Sequence, residues 1–143
     1  MRAVAREAPG PTRISEAESQ VMGVVWDGVE AGGEGAGVEP ILATLGPANG
    51  WGEATVRTLI HRLIRKGALR SERRRGLVVY VPLLARAQWV TAESQGLLDR
   101  LFGGQLAPLV DHFTRERAVA PEDLARLRRL VADLDRDAAE EDR

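Results

Sequence analysis

Apolar residues along this chain fall into short periodic runs separated by glycine and proline, and the period of each run predicts its element. Ser15 with Glu18 three residues on forms a capping box ahead of Val21, Met22, Val24, Val25 and Trp26, which predicts a first helix anchored near its end by Trp26. Residues 28–37, Gly-Val-Glu-Ala-Gly-Gly-Glu-Gly-Ala-Gly, carry no apolar period and read as a flexible loop. As a phosphate cradle they would lack both the lysine and the strand-to-helix setting that such loops need. A short second helix is expected over Glu39 to Leu45, with Pro40 in its first turn and Gly46 to Gly50 turning the chain.

The next segment, Trp51 to Arg70, is the most informative. Val56, Leu59, Ile60 and Leu63 stand at i, i+3, i+4 and i+7, the stripe that a helix buries. Ala54, Thr55, Arg57, Thr58, His61, Arg62 and Arg65 occupy the other side. Gly67 follows as a C′ glycine, with Arg65 and Lys66 complementing the negative end of the helix dipole. A strand from Ala68 to Arg73, a turn at Arg74-Arg75-Gly76 and a β-branched strand from Leu77 to Val81 then make a basic hairpin. Helix followed by basic hairpin is the layout of a winged helix. Trp26 and Trp51 read as packing residues.

Beyond Pro82 the pattern is helical. One helix is expected from about Ala85 to Phe102, with Val90, Leu97, Leu98 and Leu101 apolar, and Gly103-Gly104 break it. A second covers Gln105 to about Arg115, with Leu106, Leu109, Val110 and Phe113 apolar. The last runs from Pro121 to about Ala138, where Leu124, Leu127, Val131 and Leu134 step by 3, 4 and 3 in a heptad-like seam. A segment of this size has a small core and is marginal alone, so pairing with a second copy through Leu98, Leu101, Phe102, Leu124, Leu127, Val131 and Leu134 is the expected reading; folding back on its own winged helix is the alternative. The fold class is therefore mainly α with a small β-hairpin. Its regions are a tail over 1–13, a winged helix-turn-helix over 14–82 and a three-helix dimerisation region over 83–143.

Charge sharpens the picture. The chain as a whole has a net charge of -1, yet residues 51–75 carry eight basic residues against two acidic, a net of +6. An amphipathic helix with arginines outside is also what an ordinary solvated helix looks like, but a basic hairpin beside it is the footprint of phosphate neutralisation. Arg57, Arg62, Arg65 and Arg73, Arg74 and Arg75 are candidates for phosphates, which set register without reading sequence. Thr55 and Thr58 are short enough to let the helix sit deep in a major groove and touch base edges, and His61 can serve either purpose. The region 83–143 is acidic, nine basic residues against twelve, and the tail carries +2. Such a tail can touch phosphates, although most tails do not.

Composition excludes several classes. With no cysteine and only His61 and His112 as histidines, there is no disulfide, thiol nucleophile or convincing metal set, and no cofactor is expected. The carboxylates of the C-terminal region lie on solvated helix faces, which argues against an enzyme. No apolar run reaches the ~20 residues that span a bilayer, so membrane insertion is not expected and a cytoplasmic protein is.

Taken in order, Ile14-Ser-Glu-Ala-Glu-Ser-Gln-Val-Met-Gly-Val-Val-Trp26, Thr55-Val-Arg-Thr-Leu-Ile-His-Arg-Leu-Ile-Arg-Lys-Gly67 and Leu101-Phe-Gly-Gly104 resemble the penicillinase repressor family, of BlaI/MecI type, over about residues 14 to 134. The resemblance implies a dimeric winged-helix repressor of double-stranded DNA, reading inverted repeats with TACA/TGTA-like half-sites. It also implies inactivation by cleavage when a membrane sensor protease system is triggered. Thr55, Thr58 and Arg62 match the family's recognition-helix pattern, whereas Ala54 stands where members have lysine. Family members are cut at an Asn-Phe bond in the helix after the Gly-Gly break, which places the cut near His112 and Phe113, with histidine in place of asparagine. Phe113 is expected to be buried, so that cleavage waits on opening of the helix. The absence of cysteine separates the chain from the family's copper-sensing branch. The alternatives are a winged-helix adaptor that binds protein, and a regulator released by a ligand without cleavage.

Overall fold

A computed structural model describes residues 13–143. The tail expected over 1–13 lies outside them apart from Arg13. The order is α1 (Glu16–Glu30), α2 (Val38–Asn49), α3 (Glu53–Arg65), β1 (Leu69–Arg74), β2 (Leu77–Pro82), α4 (Arg86–Phe102), α5 (Leu106–Glu116) and α6 (Pro121–Glu141). The chain through Glu93 forms one compact unit and Ser94–Arg143 another.

In the first unit α1, α2 and α3 pack around a single core and the β1–β2 hairpin closes it, the architecture of a winged helix. The capping box is present: the Glu18 amide donates to the Ser15 hydroxyl at 3.1 Å, and the Ser15 amide donates to the Glu18 carboxylate at 2.7 Å. Val21, Met22, Val25 and Trp26 of α1 meet Ile41 and Leu45 of α2 and Val56, Leu59, Ile60 and Leu63 of α3, all buried. Trp51 is partly buried against the same core, a packing residue as expected.

Two segments differ from expectation. Residues 28–37 are not a flexible loop: α1 continues through Glu30, and Ala36 pairs with Tyr80, the two exchanging backbone hydrogen bonds of 3.2 and 2.8 Å. Glycine is required there by close approach, since a Cβ on Gly35 would lie 1.9 Å from the Tyr80 carbonyl oxygen and one on Gly28 2.2 Å from that of Gly35. The second difference is α2, which runs on through Gly46 and Pro47 to Asn49. Gly46 is buried and its carbonyl accepts from the amides of Gly50 and Trp51 at 2.7 and 3.1 Å, with Gly50 left-handed at φ 70° ending the helix. The turn expected at Gly46 thus comes one helical turn later, at a left-handed Gly50 cap.

The hairpin pairs Leu69 with Pro82 through Arg74 with Leu77, leaving Arg75 and Gly76 as a two-residue turn. Both have positive φ, 53° and 80°. Such turns ordinarily take Asn-Gly or Asp-Gly, because a left-handed L-residue with a Cβ costs about 1–2 kcal/mol.

The unit does not stop at Pro82. The Trp26 indole donates to the Leu84 carbonyl at 2.9 Å, and Trp89 of α4 packs on the core with its ring 5.6 Å from that of Trp26. Trp89, rather than Val90, is therefore the inward residue at this end of α4; Val90 is exposed.

In the second unit α4 ends at Gly103 and Gly104, both left-handed, and the amide of Gly104 donates to the Leu98 carbonyl at 2.8 Å. Helices α5 and α6 follow within a few residues of the expected bounds. No residue from 94 to 143 is buried. Leu101, Leu106, Val131 and Leu134 are 59%, 62%, 57% and 67% exposed.

One polar contact ties the core to α3. Glu18 is 1% exposed, and the Lys66 ammonium at the C-cap of α3 donates to it at 2.6 Å and to the Arg13 carbonyl at 3.0 Å. Burial opposes ionisation of Glu18, but hydrogen bonds from Lys66 and from the Ser15 amide and hydroxyl together outweigh it and hold the carboxyl below its usual range. A depressed folded pKa means that this stabilisation is complete above the unfolded value and is lost as pH falls through the folded one. Glu18→Gln is expected to lower stability by about 1–3 kcal/mol at neutral pH. It should also flatten the decline of the urea midpoint between neutral and acid pH; Glu34 and Glu72, also shifted down, leave a residual slope. An unchanged decline in the variant would remove Glu18 from the acid transition.

Candidate nucleic-acid interface

Burial of the α3 stripe decides which residues face outward. Thr55, Arg57, Thr58, His61, Arg62 and Arg65 are all exposed, as the wheel requires. Thr55, Thr58 and Arg62 are brought together, with Ala54 and Leu59, around a shallow depression of about 270 Å³. The Thr58 hydroxyl donates to the Ala54 carbonyl one turn back at 2.9 Å, which leaves its lone pairs to accept and its methyl to meet an apolar group. The helix has a mixed polar and cationic outer face with two short side chains near its N-terminal end. That shape fits a groove.

Sequence alone counts charges without their partners, and here the count changes. Arg57 is paired with Glu53 at 2.8 Å, and the hydrogen bond that it donates to that carboxylate raises its pKa. Lys66 is committed to Glu18. Arg70 pairs with Glu72 at 2.7 Å. Arg74 makes two ion pairs, to Glu34 at 2.7 Å and to Glu72 at 2.5 Å. Its raised pKa is caused first by Glu34, whose own carboxyl is held below the usual range by the same contact. Among the described residues, Arg62, Arg65, Arg73 and Arg75 have no carboxylate within ion-pair distance. Local positive charge is thus concentrated on the outer face of α3 and on the hairpin tip.

The tip itself is informative. Arg75 keeps a cation where glycine or asparagine would make the more stable turn, and strain of this kind is found where a side chain serves something beyond the fold. Glu34 was not visible as a site residue in the sequence, since nothing local marks a glutamate in a glycine-rich stretch as the partner of an arginine 40 residues on.

The other candidates lie in the second unit. Leu98, Phe102 and Leu127 are half-buried, and Leu101, Leu124, Val131 and Leu134 are exposed in the single chain. His112 and Phe113 sit within α5. Phe113 is 45% exposed rather than buried, because α5 and α6 enclose no core that could take its ring. It packs instead edge-on to His112 at 5.7 Å between centroids, and His112 lies 6.0 Å from Phe102. Among the described residues there is no cluster of His, Cys, Asp and Glu able to hold a metal ion. No helix among them is long and apolar enough to cross a membrane.

The chain is 26% identical over 119 residues to the penicillinase repressor of Bacillus licheniformis, covering 83% of this chain and 89% of that one. It is 24% identical over 118 residues to the methicillin resistance regulatory protein MecI of Mammaliicoccus sciuri, covering 82% and 92%. Among solved structures, the monomeric form of Bacillus licheniformis BlaI in complex with the blaP half-operator matches at 29% identity with a TM-score of 0.46, over 53% of this chain and 87% of that one. A family model, the penicillinase repressor, matches residues 14–133. The chain belongs to the penicillinase repressor family.

Proposed function

We propose that this chain is a cytoplasmic transcriptional repressor that binds an inverted-repeat operator as a homodimer, with α3 in the major groove and the hairpin tip on the phosphate backbone. The observation that carries the reading is the outer face of α3, where Thr55, Thr58 and Arg62 converge and neither Arg62 nor Arg65 has a carboxylate within ion-pair distance. The names of the relatives, repressor and regulatory protein, agree with it. Thr55 and Thr58 meet base edges, His61 and Arg62 lie at the groove, and Arg57, Arg65 and Arg73 to Arg75 address phosphates. Within that set Arg74 contributes least, because Glu34 and Glu72 already offset its charge.

Each phosphate neutralised contributes about 0.9 to the slope of log affinity against log salt. Arg75→Ala is therefore expected to weaken binding to every duplex and to flatten that slope by about one unit per protomer bound. Arg74→Ala should flatten it by well under half as much. Thr58→Ala should leave the slope alone and narrow the gap between operator and scrambled DNA. Fluorescence anisotropy at several salt concentrations measures all of these. A wild-type chain that does not bind duplex would leave the protein-binding adaptor, and equal binding to scrambled DNA would remove sequence-specific reading.

The second unit supplies the pairing surface. Leu98, Leu101 and Phe102 of α4 and Leu124, Leu127, Val131 and Leu134 of α6 are apolar, and none is buried in the single chain. A second copy covering them would turn exposed area into core, at roughly 25 cal/mol per Å² removed from water. Cleavage between His112 and Phe113, in response to a sensor protease system, would detach α6 and with it the Leu124 to Leu134 seam. The bond lies inside a hydrogen-bonded helix, so a protease must unwind α5 locally, although Phe113 itself is already accessible. A chain ending at His112 is expected to sediment as a monomer and to bind operator on the order of 100-fold more weakly than the full chain, since linkage of two half-site readers is lost. Mass spectrometry of the protein from derepressed cells should find this product. Dimers of the truncated chain would place the interface elsewhere, and an intact chain in derepressed cells would favour release by a ligand.

A further inference from the structure

The hairpin carries four arginines, Arg70, Arg73, Arg74 and Arg75, and one acid of its own, Glu72. A second acid is brought to it from outside. Glu34, in the connection between α1 and α2, accepts along one edge of the Arg74 guanidinium, from Nε at 2.7 Å on one carboxylate oxygen and from Nη2 at 3.1 Å on the other. Two-pronged pairing of this kind fixes orientation as well as distance. Glu72 also reaches Arg74, at 2.5 Å, but it is shared with Arg70 at 2.7 Å, whereas Glu34 makes no other ion pair among the described residues. The backbone explains why Glu34 is on hand. The Gly33 amide donates to the Gly28 carbonyl at 2.9 Å on one side of it, and Ala36 exchanges two hydrogen bonds with Tyr80 on the other. A stretch fastened at both ends therefore carries one carboxylate to the hairpin.

We propose that Glu34 is a masking residue, which withholds Arg74 from DNA phosphates and so limits the sequence-independent affinity of the winged helix. The proposal rests on the reading above that the hairpin addresses the phosphate backbone. The Arg74 and Glu34 side chains are 46% and 55% exposed, and an ion pair so open to water contributes little to stability. Its larger effect is on what the surface presents. A phosphate competing for Arg74 must displace a carboxylate bonded at two points, and it is repelled by that carboxylate as it approaches. Arg73 and Arg75, on either side, have no carboxylate within ion-pair distance among the described residues and pose neither obstacle. Phosphate contacts supply nearly all non-specific binding, so one masked cation on each copy lowers affinity for every duplex. The base contacts of α3 are left as they are, because a phosphate contact carries no sequence information. The connection itself is held by backbone bonds, which a glutamine at position 34 leaves intact.

The test compares wild type, Glu34→Gln, Arg74→Ala and the double variant, all as full chains. Each is titrated at several salt concentrations against the duplex that wild type selects from a random pool and against a scrambled duplex. Glu34→Gln is expected to bind both more tightly, by about three- to tenfold per protomer near ~0.1 M salt, and to steepen the slope of log affinity against log salt by about half to one unit per protomer. A gain of this kind cannot come from a loosened fold, which would weaken binding. In the Arg74→Ala background the same change should bring less than half of that gain in log affinity, since the cation it unmasks is gone. Should Glu34→Gln fail to fold, Glu34→Ala must show the gain instead. Unchanged or weaker binding, or an unchanged slope, overturns the proposal alone; the weaker case would mark the pair as a brace that holds the hairpin. So does a gain that survives by half or more without Arg74, because Glu34 would then act only through its own repulsion. A wild type that binds neither duplex overturns the reading of the hairpin as well.

Discussion

What α3 hides determines what it shows. Val56, Leu59, Ile60 and Leu63 are each buried to within a few per cent, and burying side chains of this kind contributes about 1.5–3 kcal/mol apiece. Turning the helix by one position, about 100°, would put Arg57 or His61 into the core and an isoleucine into water. No other rotation competes, so Thr55, Thr58, Arg62 and Arg65 are held outward by packing they take no part in. The Lys66–Glu18 contact fixes the C-terminal end of the same helix to the start of α1. The candidate interface is thus a consequence of the core, and its precision is that of the core.

Features carried by local periodicity were legible in the sequence. The capping box at Ser15 and Glu18, the α3 stripe, the glycine at position 67 and the Gly103-Gly104 break each depend on residues a few positions apart, and each is where the pattern puts it. Features made by distant partners were not. Glycine at 28 and 35 looked like freedom, whereas Gly28 lets the backbone of Gly35 pass and Gly35 lets it pass Tyr80, next to the extra bridge at Ala36. Gly46 and Pro47 looked like a break, but both lie inside α2, with Gly46 buried against the core and Gly50 as the cap that ends the helix. Arg73, Arg74 and Arg75 looked alike as charges; a glutamate from the α1–α2 connection distinguishes the middle one.

The two compact units solve the problem of size differently. Among the described residues the winged helix gathers fifteen buried apolar ones, from Ile14 to Tyr80, and then recruits Trp89 from α4 to complete the wall around Trp26. The region after Glu93 has apolar positions at helical spacing but no interior, and Phe113, expected inside, stands half in solvent. Short amphipathic helices in this state are stabilised chiefly by whatever covers them. That dependence is also what makes a cut inside α5 an effective switch under the proposed function, since the surface lost with α6 is the surface that pairing would use.

The central claim, that the outer face of α3 enters the major groove of each half-site, can be tested directly because the chain has no cysteine of its own. A cysteine placed at exposed Ala54, beside Thr55 and Thr58 but outside the proposed contact set, can carry a chelated iron that cuts DNA within its reach. The account predicts two clusters of cuts on the selected operator, related by its two-fold axis and falling within the half-sites. Cutting spread evenly along the duplex, or absent while the protein remains bound, would contradict it.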